Sequence, residues 1–229
     1  MTEDAASEPL ARSPLELLEA LAREEVEITP GLRHLEIYTW RGLLTILWHG
    51  PVDAEEVVVM SGGAMGGLLG PANGLYHDLG ERFAADGIGS IRVGYRKPND
   101  LARCVHDVAA AADLATRAGA RRFVTVGHSF GGAVAIQAGM VLDEYCRGVV
   151  TLATQSAGCE DAAGLRDDVP VLLLHGDRDE LLPPDSSYMV RMLIGHGDVE
   201  LLPGTGHLLS EYADHLRTRL GDWIPAHLA

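Results

Sequence analysis

The chain predicts an α/β fold, with a mostly parallel central sheet of about eight strands and helices on both faces. Three observations predict it. Short β-branched or aliphatic runs alternate with longer stretches whose apolar residues recur every three or four positions, which implies parallel strands joined by right-handed crossover helices. Near the start, His34–Trp40 and Leu43–Trp48 flank Arg41 and Gly42 and read as an antiparallel β-hairpin at one sheet edge. Midway, the strand Phe123–Val126 runs straight into Gly127, His128, Ser129, Phe130 and Gly131, and then into the small-residue helical run Ala133–Gly139.

The elements follow in order within a single domain spanning 1–229. Residues 1–12 form a polar tail. Residues 13–24 read as an amphipathic helix, with Ser13 as N-cap and Pro14 in the first turn. After the hairpin, Glu56–Met60 is a strand, and a helix near 73–86 repeats Leu75, Leu79 and Phe83. Ile88–Val93 is the next strand. A helix over about 100–118 presents Leu101, Val105, Val108, Ala112 and Ala115 on one face. Gly148–Ala153, Val171–Leu174 and Val199–Leu202 are further strands. A last helix over about 208–221 carries Leu209, Tyr212, Leu216 and Leu220.

The segment at Ser129 has the form of a nucleophile elbow, in which a strand turns sharply into a helix and lifts one hydroxyl out at the sheet edge. Glycines two residues to either side avoid a collision across so tight a turn. The bland alternative is a glycine-rich packing turn with an ordinary N-cap serine. A serine hydroxyl needs a base within reach. His207 follows the strand Val199–Leu202 in the loop Pro203, Gly204, Thr205, Gly206, and an imidazole can take and return a proton near neutrality. A carboxylate would fix its tautomer. Asp177, Asp179 and Glu180 compete for that role after Val171–Leu174, as do Glu160 and Asp161 after an earlier strand. Asp177 could instead stabilise its own turn. All these groups follow strands, at the edge where open α/β sheets bind ligands.

These segments (Gly127 to Gly131, His175-Gly176-Asp177-Arg178-Asp179 with Pro183 beyond, and Gly204 to His207) resemble the α/β-hydrolase superfamily over about 35–224. The resemblance implies an α/β-hydrolase fold and the chain order Ser129, Asp179, His207. The fifth place of its His-Gly-x-x-Asp segment selects Asp179 as the acid. It also implies an oxyanion hole made by the N–H of Phe130 and one from the loop after Glu56–Met60. By position that second donor is Gly63 or Ala64. Many relatives have His-Gly where this chain has Ser61 and Gly62. Only Thr154–Pro170 separates the sixth strand from the acid strand, too little for a cap domain. The chain therefore resembles small lidless esterases, acyl-protein thioesterases and dienelactone-hydrolase-like enzymes, although dienelactone hydrolases carry cysteine as nucleophile.

The loops 61–74, 94–100 and 154–164 are expected to shape an open site. Met60, Met65, Leu68, Leu69 and Phe130 suggest a modest apolar acyl pocket. Arg96 and Lys97 could bind a carboxylate or phosphate of the substrate, or Arg96 could anchor loops through an ion pair.

Composition bounds the partners. The formal charge of −15 argues against nucleic acid and anionic membrane surfaces. The acidic start is unlike a secretory signal, and no apolar run is long enough to span a bilayer. Cys104, Cys146 and Cys159 are too scattered for a disulfide framework or a zinc site. They read as reduced and structural, in a cytoplasmic protein. The histidines lack metal spacing, and His77-Asp78 and His106-Asp107 read as helix-surface pairs. The loop Gly62–Gly67 matches neither a phosphate loop nor a dinucleotide fingerprint, so no metal or cofactor is expected. The expected function is hydrolysis of a small to medium carboxylic ester or thioester through an acyl-enzyme. Acyl transfer, carbon–carbon bond hydrolysis and a non-catalytic binding role are the alternatives. The N-terminal helix and the edge hairpin are the surfaces on which copies of the chain could associate.

Overall fold

Backbone pairing sets the strand order. The computed structural model describes residues 12–229, so most of the expected polar tail lies outside it. Strands β1 (Ala22–Thr29), β2 (Leu32–Thr39) and β3 (Gly42–His49) form an antiparallel meander. Its second turn is the expected hairpin, closed where Thr39 pairs with Gly42.

The helix expected over 13–24 is a single turn, α1 (Pro14–Leu17). Ser13 and Glu16 cap it reciprocally, and Glu19, at φ 51°, turns the chain out of the helix. Residues 22–29 then run as an edge strand exposed along its whole length. An edge strand with no buried face carries no period-2 apolar signal, so its charged residues fit a helix surface equally well. It raises the sheet to nine strands.

The rest alternates as expected: β4 (Glu56–Ser61), α2 (Pro71–Ala85), β5 (Gly89–Gly94), α3 (Leu101–Ala118), β6 (Arg122–His128), α4 (Phe130–Leu142), β7 (Cys146–Leu152), β8 (Val171–Gly176), α5 (Asp185–Ile194), β9 (Asp198–Leu202) and α6 (Ala213–Leu228). The last helix starts later than expected. Leu209 is buried but left-handed at φ 55°, and a 3-10 turn spans Ser210–Tyr212. Residues 154–170 carry only one further 3-10 turn, at Ala162–Gly164, and no helical cap.

The sheet order is β1-β2-β3-β5-β4-β6-β7-β8-β9, parallel from β5 to β9. The chain steps from β4 out to β5 and then returns past β4 to β6. Its two crossover helices therefore take opposite faces: α2 packs with α6 on one, α3 with α4 on the other. Such a reversal opens a crevice beyond the carboxyl ends of the strands that flank it. Those strands here are β4 and β6, which end at Ser61 and His128.

The layer that α2 and α6 form against the sheet is tightly buried. Leu75, Leu79, Phe83, Leu216 and Leu220 are at most 1 % exposed, and burying side chains of this size contributes about 1.5–3 kcal/mol each. No described helix is long and apolar enough to cross a membrane. No described group of three His, Cys, Asp or Glu side chains could hold a metal ion.

Candidate active site

Ser129 stands between β6 and α4 with φ 57° and ψ −121°, a conformation that costs a non-glycine residue about 1–3 kcal/mol. The surroundings enforce it. A Cβ on Gly127 would lie 1.8 Å from the Gly131 carbonyl oxygen, and one on Gly131 would lie 2.4 Å from the Gly62 carbonyl oxygen. The Ser129 N–H donates to Leu152 O at 2.8 Å, which ties the elbow to β7.

The loops after β8 and β9 bring the acid and the base to this serine. Ser129 Oγ lies 3.0 Å from His207 Nε2, and His207 Nδ1 lies 2.7 Å from Asp179 Oδ2. A carboxylate can only accept, so Nδ1 carries the ring hydrogen and Nε2 faces the serine with a lone pair. The Asp179 side chain is fully buried. Its Oδ1 accepts from the N–H groups of Leu181 and Leu182, each at 2.8 Å. Burial pushes this carboxyl up. The Leu182 N–H, the His207 ring and the Leu181 N–H outweigh burial, so the net shift is downward and the acid stays ionised.

The competing carboxylates hold the loop that carries His207. Asp177 Oδ1 accepts from the Gly204 N–H at 2.6 Å, and Glu180 Oε2 accepts from the His207 N–H at 3.2 Å. Glu160 accepts from the Gly158 N–H in a separate loop. His175 adds support that the sequence reading left without a role. It is fully buried, its Nε2 donates to Leu182 O at 3.1 Å, and its Nδ1 accepts from Ser187 Oγ at 2.7 Å. Nε2 also lies 3.2 Å from Asp179 Oδ2. The signal was its place four residues before Asp179.

Two tyrosines pin the loop after β4. Tyr76 Oη donates to Ser61 O and Tyr95 Oη donates to Gly62 O, each at 3.0 Å. A trans peptide is planar, with its N–H directed opposite to its C=O. Fixing the Gly62 carbonyl inward therefore aims the Gly63 N–H outward. A Cβ built on Gly63 would sit 3.6 Å from Ser129 Cβ. Phe130 is the first residue of α4, so its N–H has no carbonyl one turn back to donate to. Ser61 donates inward to Val126 O at 3.2 Å.

A cleft of about 530 Å³ opens over Ser129, His207 and His128, walled by Gly63–Pro71, Leu181 and Leu208. Met65 and Leu68 line it as expected. A second cavity of about 460 Å³ adjoins it across Leu69, Gly70, Pro71 and Leu208. Several expectations need correction. Residues 94–100 and 154–164 do not line the cleft, and Leu181 and Leu208 do. Met60 and Phe130 turn their side chains into the core.

Arg96 is also corrected. Its side chain is 3 % exposed and pairs through Nε with the fully buried Asp107, which accepts from the Arg96 N–H as well, at 2.8 Å. Asp107 is thus no helix-surface residue, and Arg96 faces α3 rather than the cleft. An isolated buried carboxylate would be prohibitive, and Arg96 supplies the partner, so the loop-anchoring ion pair is the reading of Arg96 that the structure has. The three cysteines are buried and unpaired.

No protein-family model and no curated protein matches this chain. Among solved structures, Est1E from Butyrivibrio proteoclasticus superposes with a TM-score of 0.68 at 15% identity, covering 85% of this chain and 98% of its own. A protein of unknown function from Agrobacterium tumefaciens, described as a putative α/β hydrolase, gives 0.69 at 19% identity, covering 85% and 96%. The dienelactone hydrolase from Anabaena variabilis gives 0.69 at 15% identity, covering 90% and 99%. With this sheet order, elbow and strand-end placement of Ser129, Asp179 and His207, the chain has the α/β-hydrolase fold.

Proposed function

We propose that this protein is a serine hydrolase that cleaves a small to medium carboxylic ester or thioester through an acyl-enzyme. One observation carries the reading: the unbroken hydrogen-bond chain from Ser129 Oγ through His207 to the buried Asp179, opening into a largely apolar cleft. The likeness to solved structures of an esterase, a lipase and a dienelactone hydrolase supports it.

Ser129 Oγ attacks the substrate carbonyl carbon as its proton passes to His207 Nε2. The oxyanion is held by the N–H of Phe130 and, because Tyr95 orients it outward, by that of Gly63 rather than Ala64. Collapse breaks the bond to the leaving oxygen or sulfur, which takes the proton back from His207. Water then attacks the acyl-enzyme, gives a proton to His207 and releases the acid, and Ser129 regains its hydrogen. Asp179 stays ionised and stabilises the imidazolium throughout.

The test is labelling by a fluorophosphonate probe, read by intact mass and peptide mapping, with Ser129→Ala as control. A single adduct on Ser129, lost in the variant, is the expected result. Folded protein that takes no adduct would overturn the reading.

A further inference from the structure

Besides Ser129 and His207, one polar side chain lines the catalytic cleft among the described residues: His128. Every other wall residue there is glycine, proline or a larger apolar residue. The His128 ring packs against the His207 ring at 4.9 Å between centroids, and its Nε2 lies 3.0 Å from His207 O. A carbonyl oxygen only accepts, so Nε2 carries the hydrogen. Burial, the main cause, pushes the ring down to about 4, so at neutral pH it is uncharged and Nδ1 is a bare acceptor.

That acceptor has no hydrogen-bond partner among the described residues and is not sealed inside the protein. It faces the corner where the second oxyanion donor is proposed. A Cβ on Gly63 would lie 3.8 Å from Nδ1 and 3.6 Å from Ser129 Cβ. A group on the carbon next to a carbonyl held at Ser129 therefore comes within reach of Nδ1. In an otherwise apolar wall, a fixed acceptor rewards a donor and disfavours both an anion and a second acceptor.

We propose that His128 Nδ1 is a specificity determinant that selects neutral acyl groups bearing a hydroxyl or N–H on the carbon next to the scissile carbonyl. The proposal rests on the serine-hydrolase reading above. His128 is a binding residue here, and its Nε2–H separately holds the His207 loop.

The experiment compares kcat/KM for three phenyl esters: propanoate, 2-hydroxypropanoate and 2-methoxypropanoate, each corrected for its alkaline hydrolysis rate. The methoxy ester keeps the inductive pull of the oxygen and lacks the donor. The readout is the hydroxy-to-methoxy ratio within each variant, so a general loss of activity cancels. A ratio of about ten is expected for the unaltered protein. It should fall to about one in His128→Gln, whose amide can replace the Nε2 donor but not the Nδ1 acceptor. It should be retained in His128→Asn, whose amide oxygen can take the Nδ1 position. A ratio near one in an unaltered protein that hydrolyses all three esters would overturn the proposal and leave the hydrolase reading intact. A ratio unchanged in His128→Gln would overturn it likewise. Failure of all three esters together with no fluorophosphonate adduct would remove the hydrolase reading itself, and this proposal with it.

Discussion

Replacing Asp179 by Asn tests how the buried carboxylate commits His207 to one tautomer. In the native protein Oδ1 accepts two backbone N–H groups and Oδ2 accepts the His207 Nδ1 hydrogen. An asparagine must direct its NH₂ at one of these positions. Placed at Oδ1, it would face the N–H groups of Leu181 and Leu182 donor to donor and forfeit both hydrogen bonds, at about 1 kcal/mol each. Its oxygen therefore stays at Oδ1 and its NH₂ faces His207. The ring then accepts at Nδ1 and carries its hydrogen on Nε2, toward Ser129, which loses its base. The expected loss in kcat is about ten-thousand-fold, equivalent to about 5 kcal/mol of transition-state stabilisation. Asp177→Asn and Glu180→Gln each disturb one backbone contact to the same loop, exposed for Asp177 and part-buried for Glu180, and should stay within about tenfold of the parent.

Stability adds a second reading of the same variant. The folded-state pKa of Asp179 is depressed. Its ionic stabilisation is present above the unfolded carboxylate value and is lost as pH falls through the lower folded value. Denaturant midpoints of the parent and Asp179→Asn should therefore converge on acidification. The assay is steady-state kinetics with urea unfolding on both proteins. Activity of Asp179→Asn within tenfold of the parent would refute the tautomer argument.

Other outcomes follow from the same contacts. Tyr95→Phe frees the Gly62 carbonyl and should lower kcat about tenfold with KM little changed; an equal rise in KM would instead point to substrate contact. Arg96→Met strands the buried Asp107 and should destabilise the fold by about 3–5 kcal/mol in urea titration, whereas an intact midpoint with a raised KM would restore Arg96 as a substrate ligand. Gly127→Ala drives a methyl into the Gly131 carbonyl and should cost about 3 kcal/mol or more, seen as loss of soluble protein or of its thermal transition. His49 and His128 are both held down to about 4, chiefly by burial. With depressed folded values, their contribution is full above about 6.5 and is lost as pH falls toward 4, by about 3 kcal/mol each; a midpoint flat from pH 7 to 4 would contradict it.

What the sequence disclosed followed from how locally each signal is encoded. The elbow was legible because its strand, its serine and both glycines lie within a few consecutive residues, and the collision that makes Gly127 necessary is with its near neighbour Gly131, whereas the one that makes Gly131 necessary is with the distant Gly62 carbonyl. The strands β4, β6, β7 and β8 were legible because burial on both faces makes them continuous apolar runs. β1 was not, because its eight residues are all exposed and their pattern contains no buried face to detect. The choice of acid turned on partners about 28 residues apart. Asp177, Asp179 and Glu180 are chemically equivalent until the β9 loop arrives, and they then divide among Gly204 N–H, the His207 ring and His207 N–H. For Arg96 the sequence leaves both a substrate contact and an ion pair open, for the converse reason: its partner Asp107 lies eleven residues on in α3, and burial of both depends on packing of that helix that no local pattern encodes.

The placement of the site can be traced to one topological fact. Because the chain leaves β4 for β5 and returns to β6 on its far side, the loops after β4 and β6 face each other across the reversal. One supplies the strained serine and the first free N–H of α4. The other approaches the elbow so closely that a Cβ on Gly131 would lie 2.4 Å from Gly62 O, and it folds so tightly on itself that a Cβ on Gly62 would lie 2.6 Å from Gly67 O, so only glycine fits. A glycine-rich loop that approaches so closely has little stiffness of its own. Rigidity comes instead from outside the loop. Tyr76 on α2 and Tyr95 beyond β5 hold two consecutive carbonyls from the two faces of the sheet. Both phenols are buried, and burial holds their pKa values well above the usual range, so each keeps the proton it donates. On this view the two tyrosines do for the oxyanion loop what Asp179 does for His207. Each supplies a buried, permanently committed hydrogen-bond partner, so that the flexible element beside Ser129 is already set in one orientation when substrate arrives.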